Sequence, residues 1–71
     1  MIEKKSKAFS VVSIGIKYDA FAQPIEDCWV CVVETRGGYV WQITHRGEKP
    51  TVQDVCDWWR FERNKFDKKF N

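Results

Sequence analysis

The chain has one histidine, an odd number of cysteines (three) and only two prolines, and its apolar stretches are short and broken by serine, glycine or charge. Each shortage excludes something. No stretch is long enough to span a bilayer. The N-terminus, Met1-Ile2-Glu3-Lys4-Lys5-Ser6-Lys7, is polar and lacks the apolar run of a secretion signal, so residues 1–7 read as a polar tail and the expected location is the cytoplasm. Three cysteines fit a reducing compartment better than a secreted disulfide scaffold. A single histidine leaves little for nucleophilic catalysis, which needs a base beside its nucleophile. Gly37-Gly38 is not a phosphate loop, because it lacks both the G-x-x-x-x-G-K pattern and a following helix. An enzyme is not expected, and neither is a cofactor.

Charge of one sign is also lacking. Twelve lysines and arginines stand against ten aspartates and glutamates. That balance argues against an acidic mimic of nucleic acid and does not demand a nucleic-acid partner. With no repeat, low-complexity stretch or dividing linker, residues 1–71 read as one small domain near the lower size limit for a stable core.

What the chain has is aromatic bulk: four tryptophans, five phenylalanines and two tyrosines. A chain this short buries only roughly 60% of its unfolded surface, and its core rarely supplies more than about 3–5 kcal/mol. Side chains that each bury about 150–250 Å² ease that shortage. Trp58 and Trp59 are adjacent in a helical pattern, about 100° apart, so only one of them can point at the core centre.

Residues 8–18 are rich in β-branched and aromatic types and read as a strand, with Val12, Ile14, Ile16 and Tyr18 alternating onto one face and Phe9 and Val11 onto the other. Gly15 marks a candidate bulge. Residues 19–27 read as a loop. Cys28–Thr35 and Tyr39–His45 then flank Arg36-Gly37-Gly38, a strong hairpin signal. A three-residue loop, 36–38, pairs Val33 with Trp41, Cys31 with Ile43 and Trp29 with His45. It is preferred to a two-residue loop because it keeps Trp29, Cys31, Val33, Tyr39, Trp41 and Ile43 on one face. Thr51 with Asp54 three residues on resembles a capping box, and a helix is expected over 51–70. Its core stripe is Val52, Val55, Cys56, Trp59, Phe66 and Phe70, while Trp58 and Phe61 project elsewhere beside Lys65 and Lys68. The expected fold is α+β: a three-stranded antiparallel sheet over 8–45 in β-β-β-α order, with the C-terminal helix on one face. One helix covers one side of a sheet, so some apolar sheet surface is expected to await a partner.

Cys28, Cys31, His45 and Cys56 are the right donor types for tetrahedral zinc. A Val-rich strand, however, sends Cys28 and Cys31 to opposite faces, and buried free thiols are the preferred reading, with no metal. As a redox pair the same two cysteines lack the electropositive setting that lowers a thiol pKa. The paired carboxylates Glu26/Asp27 and Asp54/Asp57 are accounted for by loop solvation and helix capping.

Trp58-Trp59-Arg60-Phe61 is followed by Arg63, Lys65, Lys68 and Lys69. Between residues 60 and 70, five basic side chains face two acidic ones, Glu62 and Asp67. A core stripe with a dipole-matched basic end explains much of this. The surplus aromatics suit a binding surface, since tryptophan and arginine are enriched at interface hot spots. The β-β-β-α order, glycine turn and Pro50-Thr51 helix opening resemble, in topology alone, small three-stranded-sheet DNA-binding domains of the integrase-arm or plant AP2 type. Those domains carry basic residues along the sheet, where this chain has Trp41, Val40 and Ile43. The expectation is therefore a small non-enzymatic protein-binding accessory or inhibitor of bacterial or phage type, including the kind that blocks a host defence enzyme. It would bind a larger protein or a second copy of itself through Trp58, Phe61, Lys65, Lys68 and Arg60. The alternative is a nucleic-acid-binding module using Arg60, Arg63, Lys65 and Lys68 with Trp58 and Phe61.

Overall fold

The computed structural model describes residues 8–69. They form β1 (Phe9–Tyr18), β2 (Pro24–Thr35), β3 (Val40–Arg46), α1 (Val52–Phe61), a 3-10 turn (Arg63–Lys65) and β4 (Asp67–Lys69). The class is α+β as expected, but the antiparallel sheet has four strands, in the order β1-β2-β3-β4.

The hairpin between β2 and β3 takes the register that keeps the apolar side chains together. Val33 faces Trp41, Cys31 faces Ile43 and Trp29 faces His45. Thr35 donates its backbone N–H to the Tyr39 carbonyl (2.8 Å), which closes a loop of residues 36–38. Gly37 and Gly38 both have positive φ, the conformation for which glycine is suited.

β1 departs from simple alternation. Its pairing with β2 slips between Val11 and Ser13, not at Gly15, and again between Ile16 and Tyr18. An extra residue in one strand returns the following side chains to the face they would otherwise leave. Phe9, Val11 and Ile14 therefore all pack against the core, whereas Val12 is pushed out to solvent and Ile16 and Tyr18 are exposed beyond the helix. Beyond Cys28, where pairing of β2 with β3 ends, β1 and β2 meet again at Tyr18 and Pro24 across the second irregularity.

The capping box is formed as the sequence suggests. The Thr51 hydroxyl accepts from the Asp54 N–H (3.1 Å), and the Asp54 carboxylate accepts from the Thr51 N–H (3.0 Å). The far end of the helix differs from expectation. α1 stops at Phe61, where the Glu62 N–H closes on the Trp58 carbonyl (2.7 Å), and the chain turns back. Stopping there satisfies two needs that a continuous helix would not. Phe66 enters the core edge-on to Trp59, with ring centroids 5.1 Å apart. Asp67–Lys69 then pairs with β3, taking up backbone groups that an open edge would leave unpaired. Val52, expected in the core stripe, is exposed at the first turn, and Phe70 lies outside the described residues.

The core is built from Cys31, Val33, Val55, Trp59 and Phe66, bordered by Phe9, Val11, Ile14, Trp41, Ile43 and Trp58. The chain contains no leucine, so aromatics supply most of this volume. Trp59 is the hub: it meets Phe9 at 6.1 Å, Trp41 at 5.6 Å and Phe66 at 5.1 Å, drawing together β1, β3, α1 and the segment before β4. Trp29 is a second tie, donating its indole N–H to the Gly47 carbonyl (2.9 Å) and so pinning the connector that leads to the helix.

Two stability outcomes follow from these contacts. Thr51→Ala removes the helix cap and is expected to cost about 1 kcal/mol, lowering the melting temperature by roughly 4–8 °C with the fold intact. Trp59→Ala is expected to cost about 3–5 kcal/mol, comparable to the whole stability of so small a domain, and to abolish the cooperative transition. Thermal unfolding followed by circular dichroism checks both; a Trp59→Ala variant that melts like the parent contradicts the hub assignment.

Candidate functional site

The residues singled out in the sequence do not form one patch. Trp58 is half-buried, packs against the core and stacks on His45, with ring centroids 4.8 Å apart and planes inclined by 35°. It therefore has an intramolecular role, contrary to the expectation that it is surplus, because β3 places His45 beneath the helix face one step from Trp59. Phe61, three residues on, stands 80% exposed at the end of α1. Lys65 forms an ion pair with Glu62, and both are members, with Trp58, His45, Thr44 and Ile43, of a shallow groove on this side. Arg60 lies 3.9 Å from Asp57 and 5.7 Å from the Phe9 ring, with its side chain half exposed. Lys68 is carried by β4 to the other side of the helix end, where its ammonium sits 4.5 Å over the Tyr39 ring.

A second exposed aromatic escaped the sequence reading. Phe21, 83% exposed, sits in the turn between β1 and β2. The turn is fixed by Asp19, whose carboxylate accepts from the Phe21 N–H (2.8 Å) and the Gln23 N–H (3.0 Å), while Asp19 N–H donates to the Gln23 carbonyl (2.8 Å). Ala22 takes positive φ there. A lone phenylalanine between an aspartate and a proline in a turn segment was the only signal available.

A cleft of about 350 Å³ opens at the hairpin end of the sheet. Its lining includes the aromatic rings of Tyr39, Trp41 and the buried Trp59, together with Arg36, Arg63 and Lys68. Arg63 lies 4.5 Å over the Trp59 ring. This grouping joins the β2–β3 turn, the 3-10 turn and β4, and no local pattern announces it.

The cysteines do not assemble a metal site. Cys28 and Cys31 fall on opposite faces of a continuously paired strand, and all three cysteines are free and buried. Among the described residues no group of three or more His, Cys, Asp or Glu side chains is placed to hold a metal ion. Burial pushes the Cys31 thiol up to about 11, which keeps it protonated and unreactive at neutral pH. Among the described residues, no helix is long and apolar enough to cross a membrane. Comparison with protein-family models, curated proteins and solved structures finds no match, so a functional reading has to stand on geometry.

The Cys31 thiol makes a prediction with a sign. Because its folded pKa is raised, the native state holds this proton more tightly than the unfolded chain. Its contribution to stability is complete below about 9 and is lost as pH rises toward about 11. Chemical denaturation at pH 8, 9.5 and 11 should show a steeper loss for the parent than for Cys31→Ala; equal slopes refute the assignment.

Proposed function

We propose that this chain is a small non-enzymatic protein-binding accessory or inhibitor protein, of the type found in bacteria and phages, acting in the cytoplasm on a larger protein or on a second copy of itself. The observation that carries the reading is Phe61. A large aromatic held at the end of a capped helix, 80% exposed, gives nothing to the core and follows Trp58, which lines the groove with His45 and Lys65, by three residues. Interfaces are commonly anchored by an aromatic on a rigid element with polar and charged residues around it. Lys65 with Glu62 and Arg60 with Asp57 supply such a rim. Phe21 offers a second anchor, pre-organised by its Asp19 turn so that little is lost in ordering it on contact.

The test is affinity capture from extract of the native host, with and without nuclease, using the parent, Phe61→Ala and Phe21→Ala. Both substitutions are exposed and should change stability by no more than about 0.5 kcal/mol. The parent is expected to retain a protein that survives nuclease, and Phe61→Ala to weaken its binding by about thirtyfold, the size of a hot-spot loss of about 2 kcal/mol. Unchanged capture by Phe61→Ala, or capture that disappears with nuclease, overturns the reading; the second result favours a nucleic-acid-binding module.

A further inference from the structure

The cleft at the hairpin end has a chemistry of its own, separate from Phe61. Three cations line it, Arg36, Arg63 and Lys68, and among the described residues no carboxylate does. Among the described residues none of the three is in an ion pair. The neighbouring Glu62 is occupied by Lys65, and Asp57 lies beside Arg60. Cation–π contact accounts for two of the positions, Arg63 over Trp59 and Lys68 over Tyr39, each at 4.5 Å. Arg36 rests on no ring. It is placed by the turn itself, its N–H donating to the Ala8 carbonyl (3.1 Å).

Three like charges gathered beside aromatic rings repel one another, and low-dielectric walls focus their field into the concavity. An anion relieves that repulsion, and the planar fork of a guanidinium matches the oxygens of a phosphate in particular. Aromatic surface accompanies the charge. Tyr39 is 50% exposed and Trp41 partly so, which leaves ring surface for a planar ligand. A volume of about 350 Å³ lies at the small end of ligand-binding pockets. We propose that this cleft binds a nucleotide, its phosphate held by Arg36, Arg63 and Lys68 and its base against Tyr39 and Trp41. The nucleotide is either free or the end residue of a single strand, since both present the same group.

Titration of the full chain followed by tryptophan fluorescence and calorimetry tests this, because Trp41 lies in the cleft. The probes are the four common nucleoside 5′-monophosphates, the parent nucleosides, inorganic phosphate and a short 5′-phosphorylated single-stranded oligonucleotide. At least one monophosphate is expected to bind saturably, with its nucleoside and inorganic phosphate each about tenfold weaker or more. Arg36→Gln and Lys68→Gln are each expected to weaken binding by about tenfold, Arg36→Gln with the melting temperature unchanged. Arg36→Gln is the cleaner variant, since it disturbs no ring contact. Tighter binding of the oligonucleotide identifies a strand end as the ligand, and equal binding identifies a free nucleotide. The proposal is overturned if no monophosphate or oligonucleotide saturates, if the nucleosides bind as well as the monophosphates, or if both substitutions leave affinity unchanged. Phe61→Ala should bind these probes like the parent, so this test and the capture experiment fail independently.

Discussion

The structure depends on one side chain finding three partners at once. Trp59 brings Phe9, Trp41 and Phe66 around its ring, and these four residues belong to four different segments. In this leucine-free chain the aliphatic side chains packed with them are valines and isoleucines, chiefly Val33 and Val55. The turn at Glu62, the return of Phe66 and the pairing of β4 with β3 follow from the same requirement. A helix continued along its axis would carry Phe66 away from Trp59 and leave the β3 edge open. Tertiary contact thus overrides the local helical pattern of residues 62–69.

What was legible in the sequence is what short-range physics decides. The β2–β3 register follows from keeping Trp29, Cys31, Val33, Trp41 and Ile43 on one face, and a slip of one residue would have reversed them all. The Thr51–Asp54 box is a three-residue pattern with a direct hydrogen-bonding cause. What was not legible needed distant residues. The bulge at Val12 resolves a conflict that alternation alone cannot reveal: Val11 and Ile14 both belong under the helix. Trp58 looks surplus when the helix is considered alone, with its neighbour about 100° away, whereas His45 on β3 gives its ring a partner. Phe61 is legible as a candidate because helical spacing places it off the Val55–Trp59 core stripe. The cleft is not, since Arg36, Tyr39, Trp41, Arg63 and Lys68 converge only once β4 has folded back.

The same economy explains how so small a chain keeps surface to spare. Aromatic side chains gathered on one hub satisfy the core with few residues, which leaves Phe61 and Phe21 outside it on backbone that is already fixed. The basic side chains divide in the same way. Arg60 and Lys65 are partnered by carboxylates beside the helix, whereas Arg63 and Lys68 lie over rings and, with Arg36, frame the cleft. A surface read along the sequence as one basic-aromatic tail is therefore two surfaces with different chemistry.

Residue-resolved oxidative footprinting of the free protein tests this division most directly. Phe61 and Phe21 should be modified rapidly, Trp58 at an intermediate rate, and Trp59 and Phe66 only on unfolding. Protection of Phe61 in the free chain, or modification of Trp59 as fast as Phe61, would contradict the account of a core organised on Trp59 with its surplus aromatics held outside.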